Sequence, residues 1–353
     1  MKIFDLETPA LCVDVEKLQS NINLMNSLLS GSQARLRPHF KTNKTLEIAA
    51  MQMKSGAKGI TCSKLGEAEV LAAAGIPDIL IANQIVQPAK ISRLAALAGR
   101  TRLTVCVDNP ENIKALSKAA TAANTTIYLY IEYEVGMKRC GVETKEEFLQ
   151  LAGQIQESSG LVFQGIQAYA GQLSHETDYD YKVREVQKTT DSVRALKEYT
   201  ESRGIPVKEV SGASTNTAAL KASGAVYTEI QAGSYVFMDA AFKDCSLPFA
   251  QSLSIVSTVV SKGKGRIIID CGAKSLGLDQ CAPVFQGYET NTCSLSEEHF
   301  SIYGENLSAD INDKVIIIPG HCCTTVNIFD HIYATSQEEV LEKWEIRGRG
   351  KSI

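Results

Sequence analysis

The sequence predicts an α/β fold: a (β/α)8 TIM-like barrel followed by a smaller, mainly β C-terminal domain. Three observations carry that expectation. The first two-thirds of the chain alternates short apolar runs with longer amphipathic stretches, the pattern of repeated βα units on a parallel sheet. At 353 residues the chain has room for a barrel of about 250 residues and a partner. After about residue 242 the alternation gives way to strand-like segments separated by turns.

Taken in order, residues 4–13 read as a strand that joins the β part before the barrel begins. Barrel strands are expected at 35–38, 59–62, 79–82, 103–107, 127–131, 161–168, 209–211 and 227–231. Helical patterns fall between them at 44–54, 65–74, 88–98, 110–123, 145–158, 180–202 and 217–222. Pro88 and Pro110 sit at first helical turns, where the missing N–H costs nothing. Eight strands with seven helices fit a closed barrel better than an open sheet. Beyond them, residues 253–260 and 266–270 flank a turn at 262–265 and read as a hairpin. The domains so defined are 12–242 for the barrel and 1–11 with 243–353 for the β domain.

Composition narrows the function class. With 44% hydrophobic and 22% charged residues the chain is ordinary for a soluble globular protein. A net charge of -4 and a pI near 5.9 offer no surface for nucleic acid or anionic membrane. No run approaches the roughly 20 apolar residues of a membrane span. Residues 1–10 carry acidic residues and no apolar core, so a secretion signal is not expected and a cytoplasmic setting is. The 10 cysteines are scattered, which favours reduced thiols over a disulfide framework. Cys12, Cys62, Cys106 and Cys271 lie in apolar runs and read as core. Gly263-Lys264-Gly265 lies between strands and lacks a third glycine, so it is no dinucleotide fingerprint.

Four stretches can carry chemistry. Arg37-Pro38-His39-Phe40-Lys41-Thr42-Asn43-Lys44 places Lys41 just past the first barrel strand, on the face where barrel enzymes keep their sites. A desolvated amine there suits Schiff-base chemistry, and a solvated loop lysine is the plain alternative. The loops after the last two barrel strands, with Thr215 in one and Gly233, Ser234 and Tyr235 in the other, offer hydroxyls and free N–H groups for a phosphate. Arg139, after the strand at 127–131, and Tyr169, at the end of 161–168, can reach a cofactor's phenolic oxygen, ring or phosphate. Finally, Pro319 to Asn327 contains His321-Cys322-Cys323. If that segment is extended, His321 and Cys323 face one way. An imidazole and a thiolate favour zinc over magnesium or manganese and leave positions open for water or substrate. A buried His and Cys in a β core fit that segment equally well.

Several of these motifs, in this order, resemble one family. Thr8-Pro9-Ala10-Leu11, the Arg37–Lys44 stretch, Gly66-Glu67-Ala68-Glu69, residues 136–142, 231–239 and 319–327, and Ser296-Glu297-Glu298-His299 are similar to those of the D-threonine aldolase and D-serine dehydratase family. These are pyridoxal-phosphate enzymes of the alanine-racemase type. The resemblance implies that Lys41 is the cofactor's Schiff-base lysine and that Arg139, Tyr169, Thr215, Gly233, Ser234 and Tyr235 surround the cofactor. It implies that His321 and Cys323 are a metal pair. Aldolases of the family tend to carry His-x-Asp with manganese or magnesium, and dehydratases His-x-Cys with zinc, so Cys323 favours a dehydratase. Two positions depart from the family: Asn43 and Gln172 stand where a histidine is common, and an amide is neither acid nor base. The expected activity is dehydration of D-serine or D-3-hydroxyaspartate to a 2-oxo acid and ammonia, in a homodimer. Its rivals are a D-threonine aldolase, a non-catalytic pyridoxal-phosphate carrier and an amino-acid racemase.

Overall fold

The computed structural model describes residues 1–305 and 307–353. The chain forms two compact units, one of residues 25–41, 49–233 and 350–353, the other of 1–24, 42–48 and 234–349. It opens with strand β1 (Ala10–Asp14) and helix α1 (Val15–Leu29). Helix α1 is absent from the expected helices, yet Leu18, Ile22, Met25 and Leu29 recur at helical spacing and are all buried. Its signal was in the sequence, ahead of the βα alternation.

The first unit is the barrel. Its strands are β2 (Arg35–Leu36), β3 (Ile60–Cys62), β4 (Asp78–Gln84), β5 (Arg102–Val107), β6 (Ile127–Glu132), β7 (Leu161–Ala168), β8 (Glu209–Gly212) and β9 (Glu229–Ile230). All eight fall at the expected places. Between them run α2 (Leu46–Lys54), α3 (Leu65–Ala73), α4 (Pro88–Leu97), α5 (Pro110–Ala123), α6 (Lys145–Glu157), α7 (Tyr179–Glu201) and α8 (Ala218–Ser223), with Pro88 and Pro110 opening their helices as expected. The strands are parallel in the order β2-β9-β8-β7-β6-β5-β4-β3. Past β2 the ends meet: Thr61 N–H donates to Pro38 O at 2.9 Å, and Phe40 N–H to Thr61 O at 2.7 Å. This parallel bridge closes the ring.

Ions fill the end of the barrel near the strand starts. Arg37, 2% exposed, pairs with Asp78 at 2.9 Å and with fully buried Glu229 at 2.9 Å. Lys58 bonds Glu209 and sits 2.9 Å from Glu229, while Tyr130 donates its OH to Glu229 at 3.1 Å. Each carboxylate there has a cation, which is the condition under which such charge is tolerated in a core.

The second unit is mainly β. Strands β10 (Leu253–Gly263) and β11 (Arg266–Ile269) form the expected hairpin, followed by β12 (Val284–Phe285), β13 (Thr292–Leu295), β14 (Phe300–Tyr303) and β15 (Lys314–Ile318). A short helix α9 (Cys322–Val326) precedes β16 (His331–Ser336) and β17 (Glu339–Glu345). The sheet order is β13-β14-β11-β10-β1-β16-β17, with β15 also on β10 and β12 on β15. Strand β1 lies antiparallel to β10 and parallel to β16, so the opening segment joins the β part as its sequence suggests. Alternating Ile255, Ile267, Ile269, Ile302 and Ile317 build the core. None of the 10 cysteines is in a disulfide, and Cys12, Cys62, Cys106 and Cys271 are buried. Among the described residues, no helix is long and apolar enough to cross a membrane.

Candidate active site

The barrel strands end in a polar cavity of about 150 Å³. Lys41, Arg139 and Tyr169 all line it, so three residues far apart in sequence meet at the face the sequence pointed to. Lys41 Nζ lies 5.9 Å from the centroid of the Tyr169 ring, and the Arg139 guanidinium 5.7 Å from the same ring. The Tyr169 hydroxyl is fixed by a 3.0 Å hydrogen bond with Ser174.

Further lining residues escaped the sequence reading. Gln84, Glu132, Gln167 and Gln231 stand at or just past the ends of β4, β6, β7 and β9. Their signal is a polar side chain closing an apolar strand, too common to single out without the fold. Glu132 is buried and accepts from Gln84 Nε2 at 2.6 Å, with Arg139 3.9 Å away. Burial raises its pKa, and Gln84 and Arg139 pull it partly back. Gln84 also donates to Asp108 at 3.2 Å, and Asp108 accepts Gly141 N–H at 3.2 Å. At the other end of the same loop Gln172 Nε2 donates to Val135 O at 2.9 Å. The loop that carries Arg139 is therefore tied at both ends. Gln172 serves as a tether.

The other predicted cofactor residues are not among those that line this cavity. Thr215 begins a tight turn (Thr215–Thr217) that leads into α8, and Gly233 is the last residue of the barrel unit's 49–233 segment. The turn is held by Ser214 N–H donating to Thr217 Oγ1 at 3.0 Å and by Lys182 Nζ on Asn216 Oδ1 at 2.8 Å. A Cβ at Gly212 would run into the Ala168 carbonyl, so only glycine fits where β7 and β8 approach ahead of this turn. Ser234 and Tyr235 belong to the β unit, in the turn Ser234–Val236, with the Tyr235 ring 5.8 Å from Phe249.

His321 and Cys323 meet within the β unit, but by a different route from the expected one. The segment is not extended: His321 is the N-cap of α9 and residues 322–326 are helical. Alternation is replaced by the tight start of a helix, and the His321 ring still hydrogen-bonds the Cys323 thiol. His321 Nδ1 is 2.7 Å from Asp279 Oδ2, and Cys322 N–H donates to buried Asp239 at 2.7 Å. Burial alone would lower the His321 pKa; Cys323 and Asp279 more than reverse this, to about 9. The Cys323 thiol donates to Thr42 Oγ1 at 3.3 Å, and Thr42 follows Lys41 in the chain. Asn43 is fully buried; its Oδ1 accepts Thr45 N–H at 3.1 Å and its Nδ2 has no hydrogen-bond partner.

A parallel eight-stranded barrel followed by a mainly β unit is the plan of an alanine-racemase-type enzyme. Residues 13–241 match the alanine racemase N-terminal domain family, and residues 252–335 a serine dehydratase domain. The chain is 34% identical to the D-threonine aldolase of an Arthrobacter species over 98% of this chain and 94% of that one. It is 32% identical to the 3-hydroxy-D-aspartate aldolase of Paracoccus denitrificans over 98% and 93%. The crystal structure of D-threonine aldolase from Filomicrobium marinum superposes with a TM-score of 0.97 at 33% identity, covering 100% of this chain and 98% of that one. D-threo-3-hydroxyaspartate dehydratase from a Delftia species follows at 0.86 and 27%, covering 98% of each. The chain belongs to the D-threonine aldolase and D-serine dehydratase family of pyridoxal-phosphate-dependent lyases.

The residues fit both groups that this family implies. An amine, a guanidinium and a phenol converge on one cavity, which suits a phosphorylated aldehyde with a phenolic oxygen. Among the described residues no three His, Cys, Asp or Glu side chains are grouped to hold a metal. The His321 imidazole and the Cys323 thiol are the nitrogen and sulfur donors that would hold a metal ion.

Proposed function

We propose that this lyase is a zinc-dependent dehydratase of a small D-3-hydroxy amino acid, D-serine or D-3-hydroxyaspartate, releasing a 2-oxo acid and ammonia. The observation that carries the reading is the His321–Cys323 pair: a nitrogen and a sulfur donor in mutual contact favour zinc over the harder manganese and magnesium. Solved forms of the Delftia dehydratase add support, since they include a cysteine-to-alanine variant described as metal-free and a variant of a histidine two positions before it.

Pyridoxal phosphate supplies an electron sink for the pair left at Cα. Lys41 would hold the cofactor through its amine, and the same amine, when free, would take the substrate's α-proton. Arg139 and Tyr169 orient the ring, with Thr215, Gly233, Ser234 and Tyr235 assigned to the phosphate end. His321 and Cys323 would hold the zinc ion, which would supply Lewis-acid chemistry at the β-hydroxyl. Cleavage of Cα–Cβ would instead require a group that accepts the hydroxyl proton. The amides of Asn43 and Gln172 cannot do this. A homodimer and a cytoplasmic setting complete the proposal.

A second reading, D-threonine aldolase giving glycine and an aldehyde with manganese or magnesium, is favoured by the 0.97 TM-score to an aldolase. Purified protein given D-serine, D-threonine and D-threo-3-hydroxyaspartate, with zinc, with manganese or with chelator, separates the two. Zinc-dependent oxo acid and ammonia support the dehydratase. Manganese-dependent glycine makes it an aldolase. Interconversion of enantiomers that survives chelation would indicate a racemase, and cofactor binding without turnover a carrier.

A further inference from the structure

The segment 277–281 is mounted directly on the start of α9. Gly277 N–H donates to Thr325 Oγ1 at 3.0 Å, and the Cys281 thiol to Gly320 O at 3.3 Å. A Cβ at Gly277 would run into the Thr324 side chain, so the approach is as close as backbone allows. Between these two anchors stands Asp279. One of its oxygens meets His321 Nδ1 at 2.7 Å and the other accepts the Thr324 hydroxyl at 2.6 Å. A single carboxylate thus grips the residues on either side of Cys322 and Cys323.

We infer that Asp279 is the positioning residue for metal capture: it fixes the His321 ring with Nδ1–H toward the carboxylate and leaves Nε2 as the metal donor. The inference rests on His321 and Cys323 being the metal pair. A carboxylate on the distal nitrogen sets the tautomer, stops the ring turning and makes the free nitrogen a better donor. Asp279 itself is no third ligand here, because its oxygens are engaged by His321 and Thr324. Cys323 needs no such partner, since its position follows from the helix that His321 caps.

Zinc affinity is measured by competition with a chromophoric chelator, together with the absorption of the cobalt(II)-loaded protein, for wild type, Asp279→Asn, Asp279→Leu and Cys323→Ala. Asp279 is nearly half exposed, so its variants should fold, and melting curves check this. Asp279→Leu is expected to weaken zinc binding about 10–100-fold while keeping the thiolate-to-cobalt band, since Cys323 remains a ligand. Asp279→Asn, of similar size and still able to accept from Nδ1–H, is expected to recover most of the loss; a role in packing alone would not separate Asn from Leu. Zinc binding by Asp279→Leu within twofold of wild type overturns the inference. If Cys323→Ala also binds like wild type, the metal-pair reading fails instead.

Discussion

Replacing Glu229 by Gln tests how much the fold depends on the ions inside the barrel. Glu229 has no exposed surface and meets Arg37, Lys58 and the Tyr130 hydroxyl. Removing its charge leaves two cations facing Asp78 and Glu209 alone, and breaking a buried pair costs about 3–5 kcal/mol. The pH route gives a similar size. Burial would raise the Glu229 pKa, but Arg37 and Lys58 carry it down from 4.5 to about 2. That drop corresponds to about 3 kcal/mol of linked stability. Because the folded value lies below the unfolded one, the contribution is complete above pH 4.5 and shrinks as pH falls toward 2. About 2 kcal/mol of it should be gone by pH 3. Urea unfolding of wild type and Glu229→Gln at pH 7, 5 and 3, followed by fluorescence and circular dichroism, reads both effects. A difference under about 1 kcal/mol at pH 7, or one that does not narrow between pH 5 and 3, would refute the reasoning.

Lys221 is fully buried, its amine bonded to hydroxyls of Thr189, Thr190 and Tyr227, and burial lowers its pKa from 10.5 to about 7. The unfolded chain then binds the extra proton between these values, so wild-type stability should rise from pH 7 to about 10, and Lys221→Met should flatten that rise in melting curves. Gly277→Ala should weaken zinc binding at least several-fold in the chelator competition without altering a ligand, because Thr324 must move and draw Asp279 with it. Gln172→Ala frees one end of the Arg139 loop, and a lower affinity for pyridoxal phosphate, read by the visible absorbance of the lysine-bound cofactor on titration, is the expected result. Lys41→Ala should abolish that absorbance while leaving zinc affinity within about twofold.

The barrel was legible because its strands are apolar runs of the right length, and because the period changes from two to nearly four at each helix start. Lys41, Arg139 and Tyr169 were legible for a related reason: parallel strands put every loop after a strand on one face, so order in sequence fixes their side of the barrel. The ion network was not legible. Arg37, Asp78 and Glu229 stand at the edges of their strands, where charge ordinarily faces water, and only closure of the ring turns them inward.

The His321–Cys323 pair shows where pattern reading reaches its boundary. Two residues apart, side chains of a strand share a face, and the sequence supported that geometry as well as any other. In a helix the same spacing points them about 200° apart, so a helical start should have separated the pair. What rescues the contact is that His321 lies at the N-cap with extended backbone, φ -147° and ψ 117°, and only Cys323 is helical. The imidazole is then not constrained by the helix, and something else must hold it. Asp279 does so from a segment more than 40 positions away, at a distance in sequence that no local pattern spans. The pair itself can be read from a motif. The carboxylate that holds its imidazole comes from the tertiary fold.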